Sequence, residues 1–516
     1  MSNQYDQVPV TPIEIDIGKK KSGEDATFHQ LEIEQPDNGI FLNNNLFENM
    51  INSSGITTLQ IEALLFTGLI YLLEGLQVSL SGLIFLPIMS QYNLSSYAGC
   101  IVSSSLVFFM AIGSISTGYL TNKWQRRPIL VMGLSVIFMG NLVAYINSVV
   151  ILLLTRSIIG FSLGAIMPIT MNNLVEVMPA KFRSFWIIAI SVFFSVGAIL
   201  SCSFLFMTYP NIDNFFVILS IPSFVVFLLY AVFYRENARY LILNGEHEKG
   251  FDIIEKFMND GKKLDETERV QIIKGVDFGM NKEVKLTGKV YFMFKRYGKV
   301  TIILTCIWVL HSVMVNGGVF NLFIGLSNSA GFLYENEDDP EEKKIGDYKD
   351  TFHMFIIFYA IFAVSVILAG LITEIKCLGR KFTIFVGFLI SSLVSLFILL
   401  EGFGSGLFFA LGAFFINVSF NAINSYSVEI YPTRVRDFAV GYLQFLSRIS
   451  GFLSNLTALF IFEALSDWVF YLNVVIGVSG LVFTLMLPFD TYNRELDKAI
   501  DNGKKVKERP NEEIII

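Results

Sequence analysis

The stretch GYLTNKWQRRPIL, residues 118–130, joins two long apolar runs, one rising from Ser96 and one leading on to Val150. It holds Lys123, Arg126 and Arg127 and no acid. A soluble loop between buried helices and a basic connector between membrane spans would both read this way. Composition separates them. Of 516 residues, 53% are hydrophobic, 16% are charged and 50 are Phe. Soluble domains carry about 25% charged residues. A run of about 20 apolar residues at ~1.5 Å each crosses a ~30 Å hydrocarbon core, and such runs recur along this chain.

Working outward, twelve candidate spans lie near 62–89, 97–120, 129–149, 150–178, 185–209, 215–234, 299–327, 351–374, 382–401, 404–429, 437–462 and 468–488. The expected fold is an all-α membrane protein of twelve transmembrane helices in two six-helix halves. Residues 1–59 read as a disordered tail with a short helix near 42–51, and 60–234 as the first bundle. A polar linker, 235–298, carries the amphipathic pattern EHEKGFDIIEKFM; 299–488 form the second bundle and 489–516 a charged tail. The N-terminal tail has no early apolar core, so membrane targeting falls to the first span. Cys100, Cys202, Cys306 and Cys377 lie far apart, with neither metal nor disulfide spacing. No phosphate loop, metal cluster or Ser-His-Asp set is visible. An enzyme, a cofactor, ATP-driven transport and a nucleic-acid partner are therefore not expected.

Cations sort by loop. Lys123, Arg126 and Arg127 follow span two; Lys181 and Arg183 follow span four; Lys376, Arg380 and Lys381 follow span eight; Arg434 and Arg436 follow span ten. The alternate loops QYNLSSY, YPNIDN and EALSDW have none, and ENEDDPEEKKIGDYKD is acidic overall. Lys and Arg concentrate in cytoplasmic loops, so the basic loops, the linker and both termini are expected in the cytosol. The halves also repeat. GLITEIKCLGRKFTIF echoes the opening stretch, and EVMPAKFRS after span four is echoed by EIYPTRVRD after span ten. Parallel repeats with a site at their interface are a transporter architecture.

These residues resemble the major facilitator superfamily, over 62–488. Gly118, Leu120, Lys123, Arg126 and Arg127 fit its loop signature G-x-L-x-D-R-x-G-R-R. Asn122 stands in place of the Asp and Gln125 in place of a Gly. The second copy keeps Gly370, Gly379, Arg380 and Lys381, with Glu374 as its acid. In the family this loop latches the two halves, and Asn122 takes the acid out of the N-terminal latch. RENARYLILNGE is similar to the E-S-P-R-W-L-L signature of the sugar and organic-ion branch. LLEGLQVSLSGLIFLP resembles helix one of the synaptic vesicle glycoprotein 2-like group, with Glu74 and Gly75 matching and a neutral Gln77 departing. RSIIGFSLGAIMPITMNNLVEVMPAKFRS is similar to helix four of that group. Gly160 and Gly164 form a small-xxx-small pair for close helix packing, and Pro168 is expected to bend that helix.

Ionisable residues inside a bilayer cost roughly 2.5–3.5 kcal/mol on insertion scales and mark function. Glu74 lies ~18 Å up the first span and Arg156 ~9 Å below the outer end of the fourth, nearly one depth. They are expected to pair, either as a proton-coupling unit or as a static tie between helices. The resemblance supports coupling, because related sugar porters place an acid on helix one near an Arg on helix four. Arg448, near mid-span in the eleventh helix, is expected to bind an anionic group of the substrate, or else to pair structurally. The resemblance agrees, since organic-anion members carry Arg there. Asn417, Asn421 and Asn424 share one face of helix ten, as substrate ligands or as interhelical glue. In the seventh span Asn316 and Asn321 flank Gly317–Gly318, an expected break and substrate contact. His311 reads as a satisfied structural donor. Lys123, Arg126, Arg127, Glu176, Arg183, Glu374, Arg380, Lys381, Glu429 and Arg436 are the expected gating charges, with Glu176 clustering with Arg183 and Glu429 with Arg436. The expected function is secondary active transport of a small organic solute, anionic or zwitterionic, by a proton-coupled monomer in the plasma or an organelle membrane. The alternative is a non-transporting receptor or accessory subunit.

Overall fold

The computed structural model describes residues 46–491, apart from 54–56, 180, 210, 244, 258–261, 277–285, 330–340, 376–377, 402–405, 432 and 465–467; some helical side chains, Asn122, Asn321 and Arg434 among them, also lie outside the description. Most of both expected tails falls outside it. All the elements below belong to one compact unit.

Among the described residues, twelve long helices occur in order, with short ones between some of them. The first half comprises α1 (Thr58–Val78), α2 (Ser96–Lys123), α3 (Arg126–Val143), α4 (Val149–Val177), α5 in two pieces (Arg183–Ala189 and Ser191–Thr208) and α6 (Ile212–Phe233). The second comprises α7 (Leu286–Ser329), α8 (Glu341–Thr373), α9 (Gly379–Glu401), α10 (Gly406–Ile430), α11 (Thr433–Ala464) and α12 (Trp468–Leu485). Among the described residues, nine candidate spans, one on each of α1–α9, are long and apolar enough to cross a membrane. α10 and α11 carry the polar side chains Asn417, Asn421, Asn424, Gln444 and Arg448. Val150, Met207, Ile221 and Val475 remain at least 60% exposed on its outside, where lipid rather than water is their solvent.

Local chemistry explains the departures from the expected boundaries. α1 starts at Thr58, where the Gln60 side chain accepts from the Thr57 backbone N–H at 2.8 Å. It does not run on to residue 89 but is interrupted at Ser79 and Ile84 by two short helices, Leu80–Leu83 and Phe85–Tyr92. Ser79 Oγ bonds back to the Gly75 carbonyl at 2.7 Å, a contact that bends helices. α7 extends thirteen residues below its expected start, as the two ranges show, and passes through Gly317–Gly318 unbroken. Glycine keeps its backbone N–H, so the pair weakens the ladder without cutting it. Pro168 sits inside α4 without ending it. Gly160 and Gly164 pack as expected: a Cβ at either would stand 2.3 or 2.0 Å from the Leu106 or Met110 carbonyl oxygen of α2. The linker folds as three short helices, Ala238–Leu243, His247–Phe257 and Glu266–Val276. With Ile51 of the helix Leu46–Ser53 they share a small core of Ile242, Phe251, Ile254 and Ile272.

One apolar core fills the first half and reaches Phe355, Tyr359, Val428 and Val440 of the second, and another fills the second half. The halves meet where α2 lies along α11 and α5 along α8, with Phe108 against Phe452 and Phe194 against Phe362. The functional side chains lie along that seam.

Candidate functional site

Midway along the seam is a cavity of about 180 Å³, room for on the order of ten waters or one small solute. Its walls are mostly apolar and aromatic, from Tyr71, Met110, Phe194, Trp308, Phe362 and Phe420. Polar groups come from both halves: Glu74 of α1 and Ser191 of α5 on one side, Asn316 of α7, Asn417 and Asn424 of α10, and Gln444 and Arg448 of α11 on the other.

The charged centre differs from the expected one. Glu74 pairs with Arg448, Oε1 to Nη2 at 2.9 Å, and not with Arg156. The other guanidinium nitrogen of Arg448 donates to Ser114 Oγ at 2.7 Å and Gln444 Oε1 at 2.9 Å. Arg448 of the second half is thus held by two residues of the first. Arg156 is fully buried away from the cavity, donating to Gln77 Oε1 at 2.9 Å, the Gln77 carbonyl at 3.0 Å and Ser81 Oγ at 3.4 Å. The physical reason is azimuth. Gln77 lies three residues beyond Glu74, about 4.5 Å higher and turned by about 60°, so Glu74 faces the cavity while Gln77 faces α4. Gln77 passes the contact on to Asn141 at 3.0 Å, and Asn141 to Ser223 at 3.1 Å. Among the described residues Arg156 therefore ties α1, α3, α4 and α6 together.

The asparagines divide. Asn417 lines the cavity and also donates to the Phe362 carbonyl and Ser365 of α8. Asn421 is not in the cavity wall; its amide turns back to the Asn417 carbonyl at 2.9 Å. Asn316 lines the cavity while donating to the Ser312 carbonyl at 2.9 Å. The Asn321 side chain lies outside the described residues. His311 lies 3.1 Å from the Ile416 carbonyl and stacks on Phe420.

At the basic-loop end two buried charge clusters close the seam. Arg126 bonds Glu176 at 2.9 and 3.1 Å and Asn173 at 2.6 Å, all within its half, and reaches Asp437 of α11 at 3.3 Å. Asn172 also donates to Asp437. Arg380 bonds Glu429 at 3.2 Å and comes within 3.8 Å of Glu374. Ser184 of α5 donates to Glu429 at 2.9 Å, and the Phe185 N–H to Glu374 at 3.1 Å. Arg126 thus meets acids although position 122 is Asn: Glu176 and Asp437 supply the charge. Glu176 and Glu429 each take the Arg of their own half's loop; Glu176 also lies 4.0 Å from Arg436 across the seam. Arg183 and Arg436 play matching local roles, each donating Nε five residues back, to the Met178 and Tyr431 carbonyls.

The second basic residue of each copy pins a helix end. Arg127 donates to the Ala231 carbonyl of α6 at 3.1 Å, and Lys381 to the Leu485 and Leu487 carbonyls at 3.0 and 2.6 Å. Their backbone N–H groups donate to Glu236 and Asp490. Lys123 stays exposed over the Trp124 ring, outside the latch. The missing signature glycine is also explained. Gln125 has φ −64°, which any residue adopts, whereas Gly379 has φ +62°. Burial pushes the carboxyls of Glu236 and Glu374 up, opposed by Arg126 and Arg380 respectively.

The sequence reading missed Asp437, Asn173, Asn237, which donates to Glu176 at 2.9 Å, and Tyr240, whose ring lies 4.4 Å from the Arg126 guanidinium. A signal for Asp437 existed. It ends EIYPTRVRD as Ser184 ends EVMPAKFRS, and both cross the seam to the charge cluster of the opposite half.

Comparison with known proteins agrees with this fold. Residues 66–501 match the family described as "Sugar (and other) transporter". The chain is 27% identical over 490 residues to the organic cation/carnitine transporter 7 of Arabidopsis thaliana, covering 87% of this chain and 95% of the relative. It is 21% identical over 516 residues to the synaptic vesicle 2-related protein of Xenopus laevis, covering 96% and 89%. A solved proton:xylose symporter of the major facilitator superfamily superposes with TM-score 0.67 at 16% identity, covering 85% of this chain and 97% of that one. The matched family and the Arabidopsis relative are transporters and not enzymes. The chain is a multi-pass membrane protein that belongs to the sugar (and other) transporter family, with the major facilitator fold.

Proposed function

We propose that the protein moves a small charged organic solute by alternating access through the cavity between its halves, with the basic loops, linker and termini in the cytosol. The observation that carries this reading is the Glu74–Arg448 pair, which bridges the halves inside the cavity. A solute carboxylate reaches Arg448 by displacing Glu74, helped by the planar guanidinium fork. Asn316, Asn417 and Asn424 offer amides beside it. A zwitterion replaces the internal pair with two new ones, its cationic group taking Glu74. A simple anion strands Glu74 as an unpaired carboxylate in a low-dielectric cavity, a costly state, and proton uptake relieves it. Anion entry is then proton symport, and the static role falls to Arg156. The relative named for organic cations and carnitine supports a charged small solute, and the proton:xylose symporter supports proton coupling on this fold. The Arg126–Glu176–Asp437 and Arg380–Glu429 clusters are the gate that opens in the other half of the cycle.

Uptake into proteoliposomes, with and without an imposed proton gradient, tests this reading. Glu74→Gln should lose accumulation of an anionic solute while keeping counterflow exchange. If Glu74→Gln still concentrates the solute when a gradient is applied, Glu74 is not the coupling group. If folded wild-type protein moves neither anions nor zwitterions, transport fails and the receptor or accessory-subunit reading replaces it.

A further inference from the structure

The start of α7 reads LTGKVYFMFKRYGKV, residues 286–300, with Lys289, Lys295, Arg296 and Lys299 and no acid. It is continuous with the span above it. One side of this stretch is buried: Met293, Tyr297 and Thr301 face the bundle, where the Tyr431 hydroxyl donates to Thr301 Oγ1 at 3.0 Å. The other side exposes Tyr291, Phe294, Lys295, Arg296, Lys299 and Ile302. At 3.6 residues per turn, Tyr291, Lys295, Lys299 and Ile302 share one strip. The Lys295 ammonium sits 4.9 Å from the centre of the Tyr291 ring. Phe294 packs edge-on against Tyr442 of α11 at 5.8 Å, which keeps the strip on the flank of the bundle.

Height along the helix sets the layer each group occupies. Ile302 is 58% exposed among apolar spans and marks the lipid. Lys299 lies about 5 Å below it and Lys295 about 10 Å. The polar headgroup layer adds roughly 5–8 Å beyond the hydrocarbon on each side. The cations therefore fall where lipid phosphates lie, and an aromatic ring beside them suits the same layer. We infer that this strip binds anionic phospholipid headgroups of the leaflet at the basic-loop end. The occupant follows from charge complementarity: the strip carries only positive charge and lies where the membrane concentrates negative charge.

The test uses the full-length protein in detergent with fluorescent phosphatidylserine and, separately, fluorescent phosphatidylcholine. Wild type should prefer phosphatidylserine, and the preference should shrink with added salt. Each cation near such a surface contributes about fivefold, so Lys295→Gln/Arg296→Gln/Lys299→Gln should reduce the preference by up to about a hundredfold. Lys295→Arg/Lys299→Arg keeps the charge and should keep the preference. Equal binding of the two lipids by wild type overturns the inference. So does an unchanged preference in a triple variant that elutes as wild type. If deleting residues 1–45 exposes phosphatidylserine binding that the intact chain lacks, the acid-rich tail is the occupant and the inference also fails. None of these outcomes depends on whether the protein transports.

Discussion

The Glu74–Arg448 pair can be weighed by a double-mutant cycle. Glu74→Gln leaves Arg448 with only the neutral acceptors Ser114 and Gln444. Removing one partner of a fully buried pair costs about 3–5 kcal/mol, whereas an exposed pair is worth about 0–1 kcal/mol. Here the side chains are 15% and 13% exposed, close to the buried limit but open to a cavity, so each single change should cost about 2–3 kcal/mol. Changing both to Gln removes both charges and should cost much less than the sum. The expected coupling is about 2 kcal/mol, or roughly thirtyfold in an equilibrium constant. Unfolding of the protein in nanodiscs, followed for wild type, both single variants and the double variant, reads it. A parallel cycle of Glu74→Gln with Arg156→Gln should be additive, because those side chains do not touch. Coupling below about 0.5 kcal/mol for Glu74–Arg448, the usual error of additivity, or larger coupling for Glu74–Arg156, would refute the geometry.

Three further outcomes are expected. Asp437→Asn removes the acid that crosses the seam to Arg126, at a cost of about 1–3 kcal/mol; a cysteine at Ser447 in the cavity should then react severalfold faster with a reagent applied at the basic-loop end, and an unchanged rate would remove Asp437 from the gate. Arg156→Leu should lower the melting temperature, since Gln77 and Ser81 lose their donor, yet leave the order in which anions and zwitterions compete unchanged; a reordered competition series would return Arg156 to the substrate site. Glu236 and Glu374, with carboxyls pushed up by burial, favour the folded chain more as they protonate, so falling pH adds stability through them. Glu255 acts oppositely: the Leu264 N–H and Arg269 hold it below the usual range, so its stabilisation is present above about pH 4.3 and disappears as pH falls through its depressed value. Melts should show no loss from about pH 7 to 5 and a drop below about 4 that Glu255→Gln reduces; a drop beginning near 6 would contradict these assignments.

The membrane class, the spans, the repeated motifs of the two halves and the arginines Arg126 and Arg380 that centre the two buried charge clusters were legible in the sequence. Each is a local property: about 20 apolar residues span a bilayer whatever surrounds them, and the two copies of a motif can be compared by eye. Position along a helix can be counted from sequence, because each residue adds ~1.5 Å; this is how Glu74 was placed ~18 Å up its span, Arg156 ~9 Å below the outer end of its own and Arg448 near the middle of the eleventh. What the sequence does not carry is azimuth and the distance between halves. Glu74 and Arg156 were expected to meet, yet Arg156 of α4 meets the side of α1 that carries Gln77, and the partner of Glu74 lies 374 residues away on α11. Asp437 likewise stood unnoticed at the end of a motif, because its partner Arg126 belongs to the other half. α7 passes unbroken through Gly317–Gly318, because glycine weakens a helix without removing a backbone donor. Which charges meet is decided only when two bundles close on one seam, where low dielectric makes an unpaired charge costly and so selects the pairs that form.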